Sequence, residues 1–280
     1  MGGCNLCGGT TWKRLELHGS TQVVQCRCDL VFVTPVPSRT DIERTYQDEY
    51  YEAWGDQKRA RRAIWERRLA AISRLVERPG RLLDVGCGDG MFLDLAYQKG
   101  WTVTGTELSA AATLRQATFE IKQGEVWEAG LPADSYDLVT SWHVIEHASD
   151  PTRMMRELCR VLRPGGRLVL ATPNLEDYIF RLAYLAGRLR WPMLYEQDER
   201  ELHLFHFTAE TLARLISSVG FTEVQVGFDR GAAAVPGKQL VNSIAYGWYR
   251  LTGMNWGIGL ELTARKPGHA LSVFQSGGDR

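Results

Sequence analysis

The chain has 280 residues, 44% hydrophobic and 24% charged, and its 33 basic and 33 acidic residues balance to zero formal charge. This is enough for one large α/β domain, or an ordinary domain with an appendage. Neutrality offers no global field for nucleic acid, no apolar run approaches the roughly 18 residues of a membrane span, and Met1-Gly2-Gly3-Cys4 lacks signal-peptide character, so a cytoplasmic setting is expected.

Four of the six cysteines, Cys4, Cys7, Cys26 and Cys28, crowd the first 28 residues, ahead of the apolar run Leu30-Val31-Phe32-Val33. Paired cysteines in a reducing compartment ligate metal more often than they form disulfides. C-x-x-C followed by C-x-C supplies four thiolates for a tetrahedral zinc. The metal is expected to staple a segment, residues 1–39, that is too short to build its own core. Four thiolates would leave no open position for catalysis, so the zinc would be structural or would help shape the substrate entrance.

Residues 40–80 are expected to form a helical cap. In it Ile64, Leu69, Ile72, Leu75 and Val76 share one face, and Arg61, Arg62, Arg67, Arg68 and Arg74 solvate the rest. From residue 81 strand and helix alternate. Strands are predicted at Arg81–Val85, Trp101–Glu107, Tyr136–Trp142, Arg167–Thr172, Phe221–Asp229 and Gly257–Arg265. Helices are predicted from Gly90 to Lys99, from Ser109 to about Thr118, after the capping pair Asp150-Pro151 as far as Pro164-Gly165-Gly166, and from Thr208 to Val219. This alternation predicts a parallel sheet covered on both faces, in a domain spanning 81–267. Two aromatic-rich insertions, 174–205 and 232–256, interrupt it, and 268–280 form a tail. The insertions are expected to pack as a lid or to contact substrate, and Trp191 and Trp248 are candidates for peripheral contact with a lipid.

Asp84-Val85-Gly86-Cys87-Gly88-Asp89-Gly90 lies between a predicted strand and a predicted helix, where glycines let the backbone approach a ligand and the helix end favours a carboxylate. The spacing is G-x-G-x-G. The dinucleotide fingerprint G-x-G-x-x-G fails because residue 91 is Met. Glu107 ends the following strand, where a carboxylate can accept two ribose hydroxyls. In this order the segments resemble the class I S-adenosylmethionine-dependent methyltransferases. Gly124-Glu125-Val126, Ser135-Tyr136-Asp137-Leu138-Val139, Arg160-Val161-Leu162-Arg163-Pro164-Gly165-Gly166 and Thr172-Pro173-Asn174 extend the resemblance over residues 81–229 and 257–267. It implies a Rossmann-like α/β fold, with a mostly parallel sheet of seven strands, the last antiparallel, and an S-adenosylmethionine site formed by Asp84, Gly86, Gly88, Glu107, Leu108, Glu125, Val126, Trp142 and His143, with Tyr51 closing over it. Related methyltransferases often begin with a similar cysteine knuckle, although Cys26-Arg27-Cys28 is one residue shorter than their second pair.

His143-Val144-Ile145-Glu146-His147 follows the fourth strand and resembles the E-H signature of a subgroup that includes ubiquinone-biosynthesis O-methyltransferases. Methyl transfer needs donor and acceptor aligned, and a hydroxyl acceptor benefits from a base, so His143 and His147 are the catalytic candidates. The same residues, joined by the distant His203, have a rival reading as a divalent-metal site, and structural packing is a third. The resulting expectation is methyl transfer to a small-molecule hydroxyl (a sugar, lipid precursor or secondary metabolite), with no nucleic-acid partner and no transmembrane segment. The alternative is a nucleic-acid or protein methyltransferase that uses the knuckle for recognition.

Overall fold

The computed structural model describes residues 3–38, 40–42, 58–109, 119–195, 202–232 and 236–268. Strands β1 (Trp12–His18), β2 (Thr21–Cys26) and β3 (Val31–Thr34) open the chain, and helix α1 (Lys58–Ile72) follows. Next come β4 (Arg81–Val85), α2 (Met91–Gln98), β5 (Thr102–Glu107), β6 (Glu120–Gln123), a 3-10 turn at Val126–Glu128 and β7 (Tyr136–Trp142). The chain continues through α3 (Pro151–Val161), β8 (Leu162–Pro173), α4 (Tyr178–Arg188), β9 (Phe205–His206) and α5 (Ala209–Ser218). It ends with β10 (Thr222–Phe228), α6 (Pro236–Thr252) and β11 (Gly259–Arg265).

The main sheet has seven strands in the order β10-β11-β8-β7-β4-β5-β6. β8, β7, β4, β5 and β6 run parallel, and β11 is antiparallel to both its neighbours. Strand order reverses between β4 and β7, so a crevice opens at their C-terminal ends. Side chains alternate across the sheet. Leu83, Val139, Leu168 and Leu170 belong to one core with Met154, Leu158, Leu212 and Leu215. Leu82, Leu138, Val169 and Ala171 belong to a second core with Leu69, Ile72, Phe92 and Trp101. Local signals set the helix starts. Asp150 accepts from Arg153 N with Pro151 in the first turn, and Thr208 and Thr211 form a reciprocal capping box ahead of α5.

Several elements differ from the sequence expectation. The cysteine-bearing segment forms strands β1 and β2 as well as β3, in a second, four-stranded sheet that β9 completes from the first insertion. Its Val24, Phe32 and Cys4 lie in the same core as Leu170 and Leu262. Helix α3 ends at Val161, and Pro164-Gly165-Gly166 lies inside the 12-residue β8. The residue before a proline avoids helical backbone, and Leu162 is already extended and pairs with Tyr136. α1 ends at Ile72, well before Pro79. The predicted helix after Ser109 and most of the segment between Thr40 and α1 lie outside the described residues. No helix among the described residues is long and apolar enough to cross a membrane.

The main correction concerns α1. Arg68, expected to solvate the helix, is 5% exposed and donates to Asp229 Oδ2 at 2.8 Å, and Asp229 itself is fully buried at the end of β10. Its guanidinium also lies over the Trp142 ring, 4.3 Å from the centroid. Arg61 pairs with both oxygens of Asp89, at 2.8 and 3.1 Å, and so ties α1 to the loop ahead of α2. Periodicity placed both arginines on a polar face because it cannot see a carboxylate 161 or 28 residues away. Arg68→Ala would leave buried Asp229 without its guanidinium partner, and the expected loss is about 3 kcal/mol in urea denaturation. A loss no larger than that of a surface substitution would mean the pair does not hold α1.

Candidate functional site

The crevice where strand order reverses holds a cavity of about 470 Å³, within the usual range for small-molecule sites. One side is the loop after β4. Gly86, Gly88 and Gly90 have φ of 68°, 55° and 74°, a region that side chains rarely adopt. A Cβ on Gly86 would also lie 2.4 Å from Val144 Cγ2. Glu107, at the end of β5, is buried and accepts from Gly88 N at 2.8 Å and Ser109 N at 3.0 Å. Its carboxylate is therefore locked against the glycine loop. Leu108, Glu125, Val126 and Trp142 also line the cavity, and Glu125 accepts from Ser149 Oγ at 3.2 Å.

Of the residues expected at this site, Gly86, Gly88, Glu107, Leu108, Glu125, Val126, Trp142, His143 and His147 line one cavity. Asp84 does not. Its carboxylate points into the sheet and accepts from Thr140 Oγ1 at 2.6 Å, and the residue is 2% exposed. A strand end has two faces, and the motif alone does not say which face this carboxylate takes. Tyr51 lies outside the described residues. Sequence reasoning missed Arg61, Trp65 and Thr106 as lining residues, along with Asp177 and Phe180 from the first insertion and Lys238 from the second. The aromatic richness of the insertions was the only signal for the last three.

The opposite wall carries the histidines. His143 follows β7 with φ of 57°, in the left-handed region unusual for a side-chain-bearing residue. Its Nε2 lies 3.2 Å from Asp229 Oδ2, and its Nδ1 lies 3.5 Å from Glu146 Oε1. Burial disfavours the imidazolium, yet the two carboxylates outweigh it and hold the pKa up to about 9. At neutral pH His143 is thus a clamped cation without the lone pair a base needs. For Glu146, burial opposes ionisation, but the hydrogen bond with His143 and the nearby histidines pull its pKa down to about 2. Glu146 Oε2 accepts from Thr172 Oγ1 at 2.9 Å, whereas the buried Oε1 faces His143 Nδ1 at 3.5 Å and His147 Nε2 at 3.8 Å. His147 places Nδ1 2.8 Å from the Leu202 carbonyl oxygen, which fixes the proton on Nδ1 and the lone pair on Nε2 of the neutral ring. His203 packs against His147 with ring centroids 4.9 Å apart. Ligand atoms of Glu146, His147 and His203 all lie within 4.8 Å of one another.

The four N-terminal cysteines also converge, with their sulfurs within 4.8 Å of one another. Cys4 faces Cys28 and Cys7 faces Cys26, each pair 3.5 Å apart, too far for a disulfide. Zinc–sulfur bonds of about 2.3 Å in a tetrahedron would set sulfurs about 3.8 Å apart, so this donor set fits zinc. The shorter C-x-C spacing is accommodated by a tight turn in which Asp29, at φ 69°, donates its N–H to the Cys26 carbonyl. The knuckle docks on the start of α3 through Asn5, which donates to Asp150 Oδ1 and accepts at its carbonyl from Thr152 Oγ1. None of these residues lines the cavity.

A family described as a methyltransferase domain matches residues 57–226. A probable S-adenosylmethionine-dependent methyltransferase of Mycolicibacterium smegmatis is 32% identical over 176 residues, covering 60% of this chain and 63% of that protein. A ubiquinone biosynthesis O-methyltransferase of Paracidovorax citrulli is 33% identical over 138 residues, covering 45% of this chain and 58% of that protein. The matched segments thus span less than two thirds of these relatives' lengths. Among solved structures, an S-adenosylmethionine-dependent methyltransferase from Archaeoglobus fulgidus aligns at a TM-score of 0.56 and 19% identity, over 78% of this chain and all of that one. At that identity the likeness concerns the fold.

The buried carboxyl of Asp84 yields a pH signature. Burial pushes its pKa up to about 7, and the Thr140 hydroxyl and the Arg68 charge offset only part of the shift. An unfolded Asp ionises near 3.9, so between about pH 4 and pH 7 the folded state holds the proton more tightly. Its contribution to stability is whole below about pH 4 and is lost as pH rises through about 7. Asp84→Asn keeps an acceptor for Thr140 but cannot ionise. Its stability relative to the parent is expected to rise between about pH 4.5 and pH 8 in urea denaturation, and parallel profiles would refute the assignment.

Proposed function

Because the chain belongs to the class I S-adenosylmethionine-dependent methyltransferases, we propose that it moves the donor's methyl group to a hydroxyl of a small-molecule acceptor bound in the crevice cavity. The observation that carries this reading is that one cavity joins the glycine loop and Glu107 to Glu146, His147 and His203. Gly86, which has no room for a Cβ, and the ordered carboxylate of Glu107 fit the donor, whose ribose Glu107 would hold. When bound, the donor supplies a methyl group on a positively charged sulfur. The acceptor oxygen forms a bond to that methyl carbon, the carbon–sulfur bond breaks, and its electron pair stays on sulfur. His147 Nε2 takes the hydroxyl proton, while the Leu202 carbonyl holds the ring by Nδ1. The main contribution of the chain is alignment: the two walls bring donor and acceptor into line and keep water out.

A second reading of the acceptor wall is favoured by the convergence of a Glu146 carboxylate oxygen with the rings of His147 and His203. Glu146, His147 and His203 would hold a divalent cation that activates the hydroxyl as a Lewis acid. Turnover unaffected by a chelator would favour the base, and turnover restored by added Mg²⁺ or Mn²⁺ would favour the cation. For the knuckle we propose a structural zinc at Cys4, Cys7, Cys26 and Cys28. None of these cysteines lines the cavity, which argues against the macromolecular alternative in which the knuckle delivers the acceptor.

Glu107→Ala is expected to weaken S-adenosylmethionine binding at least about tenfold by calorimetry, as one charge-assisted contact is lost. Unchanged affinity would sink the donor site. His147→Ala should lower kcat by about 10²-fold or more with donor affinity retained. Elemental analysis should find about one zinc per chain, and its removal should lower the Tm.

A further inference from the structure

A second pocket, of about 200 Å³, is lined by Arg67 of α1, by Arg230 just after β10, and by Gln239, Asn242, Ser243 and Tyr246 of α6. It is smaller than the usual range for a whole small-molecule ligand, so it suits one group of a larger one. Gln239 follows Lys238, which lines the cavity itself, so the start of α6 borders both spaces. The two arginines are chain neighbours of a buried ion pair. Arg67 precedes Arg68, Arg230 follows Asp229, and Arg68 donates to Asp229 Oδ2 at 2.8 Å. Asp229 Oδ1 accepts from Gly231 N at 2.6 Å and closes a turn around Arg230, while Asn242 Nδ2 donates to the Asp229 carbonyl at 3.2 Å. Asp229 thus ties α1, the end of β10 and α6 together, and the pocket opens where these three meet.

The charge in this pocket is uncompensated. Arg67 Nε donates to the Ala63 carbonyl at 3.1 Å, and the Arg230 guanidinium lies 4.8 Å from the centroid of the Tyr246 ring. These contacts orient the two groups without neutralising them, and neither has an ion-pair partner among the described residues. Arg61, Arg62 and Arg68 on the same helix differ, since they pair with Asp89, Glu66 and Asp229. No Asp or Glu among the described residues lines the pocket, whereas Glu107, Glu125, Glu146 and Asp177 all line the cavity. A second open valence lies beside the arginines. Asn242 is 6% exposed, and its Oδ1 has no hydrogen-bond partner among the described residues. A buried acceptor left unmade costs free energy that a ligand hydroxyl would recover. Guanidinium groups present planar N–H forks that match phosphate oxygens. The pocket therefore asks for a phosphate with a hydroxyl close to it.

We propose that this pocket is a phosphate subsite, which holds the phosphoryl group of a hydroxylated phosphate ester while another hydroxyl of the same molecule reaches the cavity. Arg67 and Arg230 bind the phosphate oxygens, and Asn242 Oδ1 accepts from the neighbouring hydroxyl. Phosphate binding here is independent of methyl transfer. Only the identification of the ester as the methyl acceptor rests on the function proposed above.

The test is calorimetry of the full chain with inorganic phosphate, glycerol 3-phosphate and glycerol as probes, each with and without saturating S-adenosylmethionine. Both phosphates are expected to bind, the ester more tightly and glycerol not at all, and binding should weaken in about 1 M NaCl, where screening is within roughly 3 Å. Arg67→Gln combined with Arg230→Gln is expected to weaken both phosphates at least about tenfold, while donor affinity and Tm stay as in the parent. The ester should bind as well with the donor present as without it. Equal phosphate affinity in parent and variant would overturn the proposal, as would no phosphate binding or competition between ester and donor. Inorganic phosphate that binds more tightly than the ester would also overturn it, because the pocket would then hold a free ion. Failure of the donor site is read separately, as S-adenosylmethionine that does not bind while the ester still does.

Discussion

A chain of alternating charges, Arg68–Asp229–His143–Glu146, buried except at the cavity-lining His143, holds the parts of this protein that matter most in one arrangement. Two cations and two anions sit in a region that would tolerate none of them alone, because each unpaired charge would bear the full cost of leaving water. Arg68 belongs to α1, Asp229 follows β10, His143 ends β7, and Glu146 lies under the segment leading to β9. Removing any partner strands the next, so the helical cap, the edge of the main sheet and the wall of the cavity are coupled. The left-handed backbone of His143 fits this view, since two carboxylates facing one ring offset its strain.

That clamp also assigns the histidines. His143 and His147 are four residues apart and indistinguishable by type, yet their surroundings oppose each other. His143 lies between two carboxylates that hold its pKa up, while His147 donates its Nδ1–H to a backbone carbonyl. The first faces Glu146 as a fixed charge, and the second turns its other nitrogen toward the same carboxylate, 3.8 Å away.

The second, smaller sheet shows how the fold serves the site from a distance. β9 pairs with β3, and the Leu204 and Phe205 amides donate to the Glu146 carbonyl at 2.7 and 3.1 Å. The cysteine-bearing segment thus braces β9, directly after the Leu202-His203 pair whose first carbonyl orients His147. A zinc there would act through this brace, since none of Cys4, Cys7, Cys26 and Cys28 lines the cavity.

Sequence determined the parts of this protein that depend on local order. The strand–loop–helix alternation, the G-x-G-x-G spacing, Glu107 at a strand end, the Asp150-Pro151 cap and the paired cysteines are all properties of short windows, and backbone sterics and hydrogen bonding act at that range. Tertiary structure decided what depends on distant partners. Arg68 reads as a solvated charge until Asp229, 161 residues away, appears beside it. Asp84 reads as a ligand contact until Thr140 accounts for its carboxylate. Phe205 and His206 belong to no predicted strand until β3 offers them a ladder, and only the fold shows that α4 and α6 leave apolar residues in solvent. In each case the side chain's free energy depends on a neighbour that the sequence places far away, and only the closed sheet brings the two together.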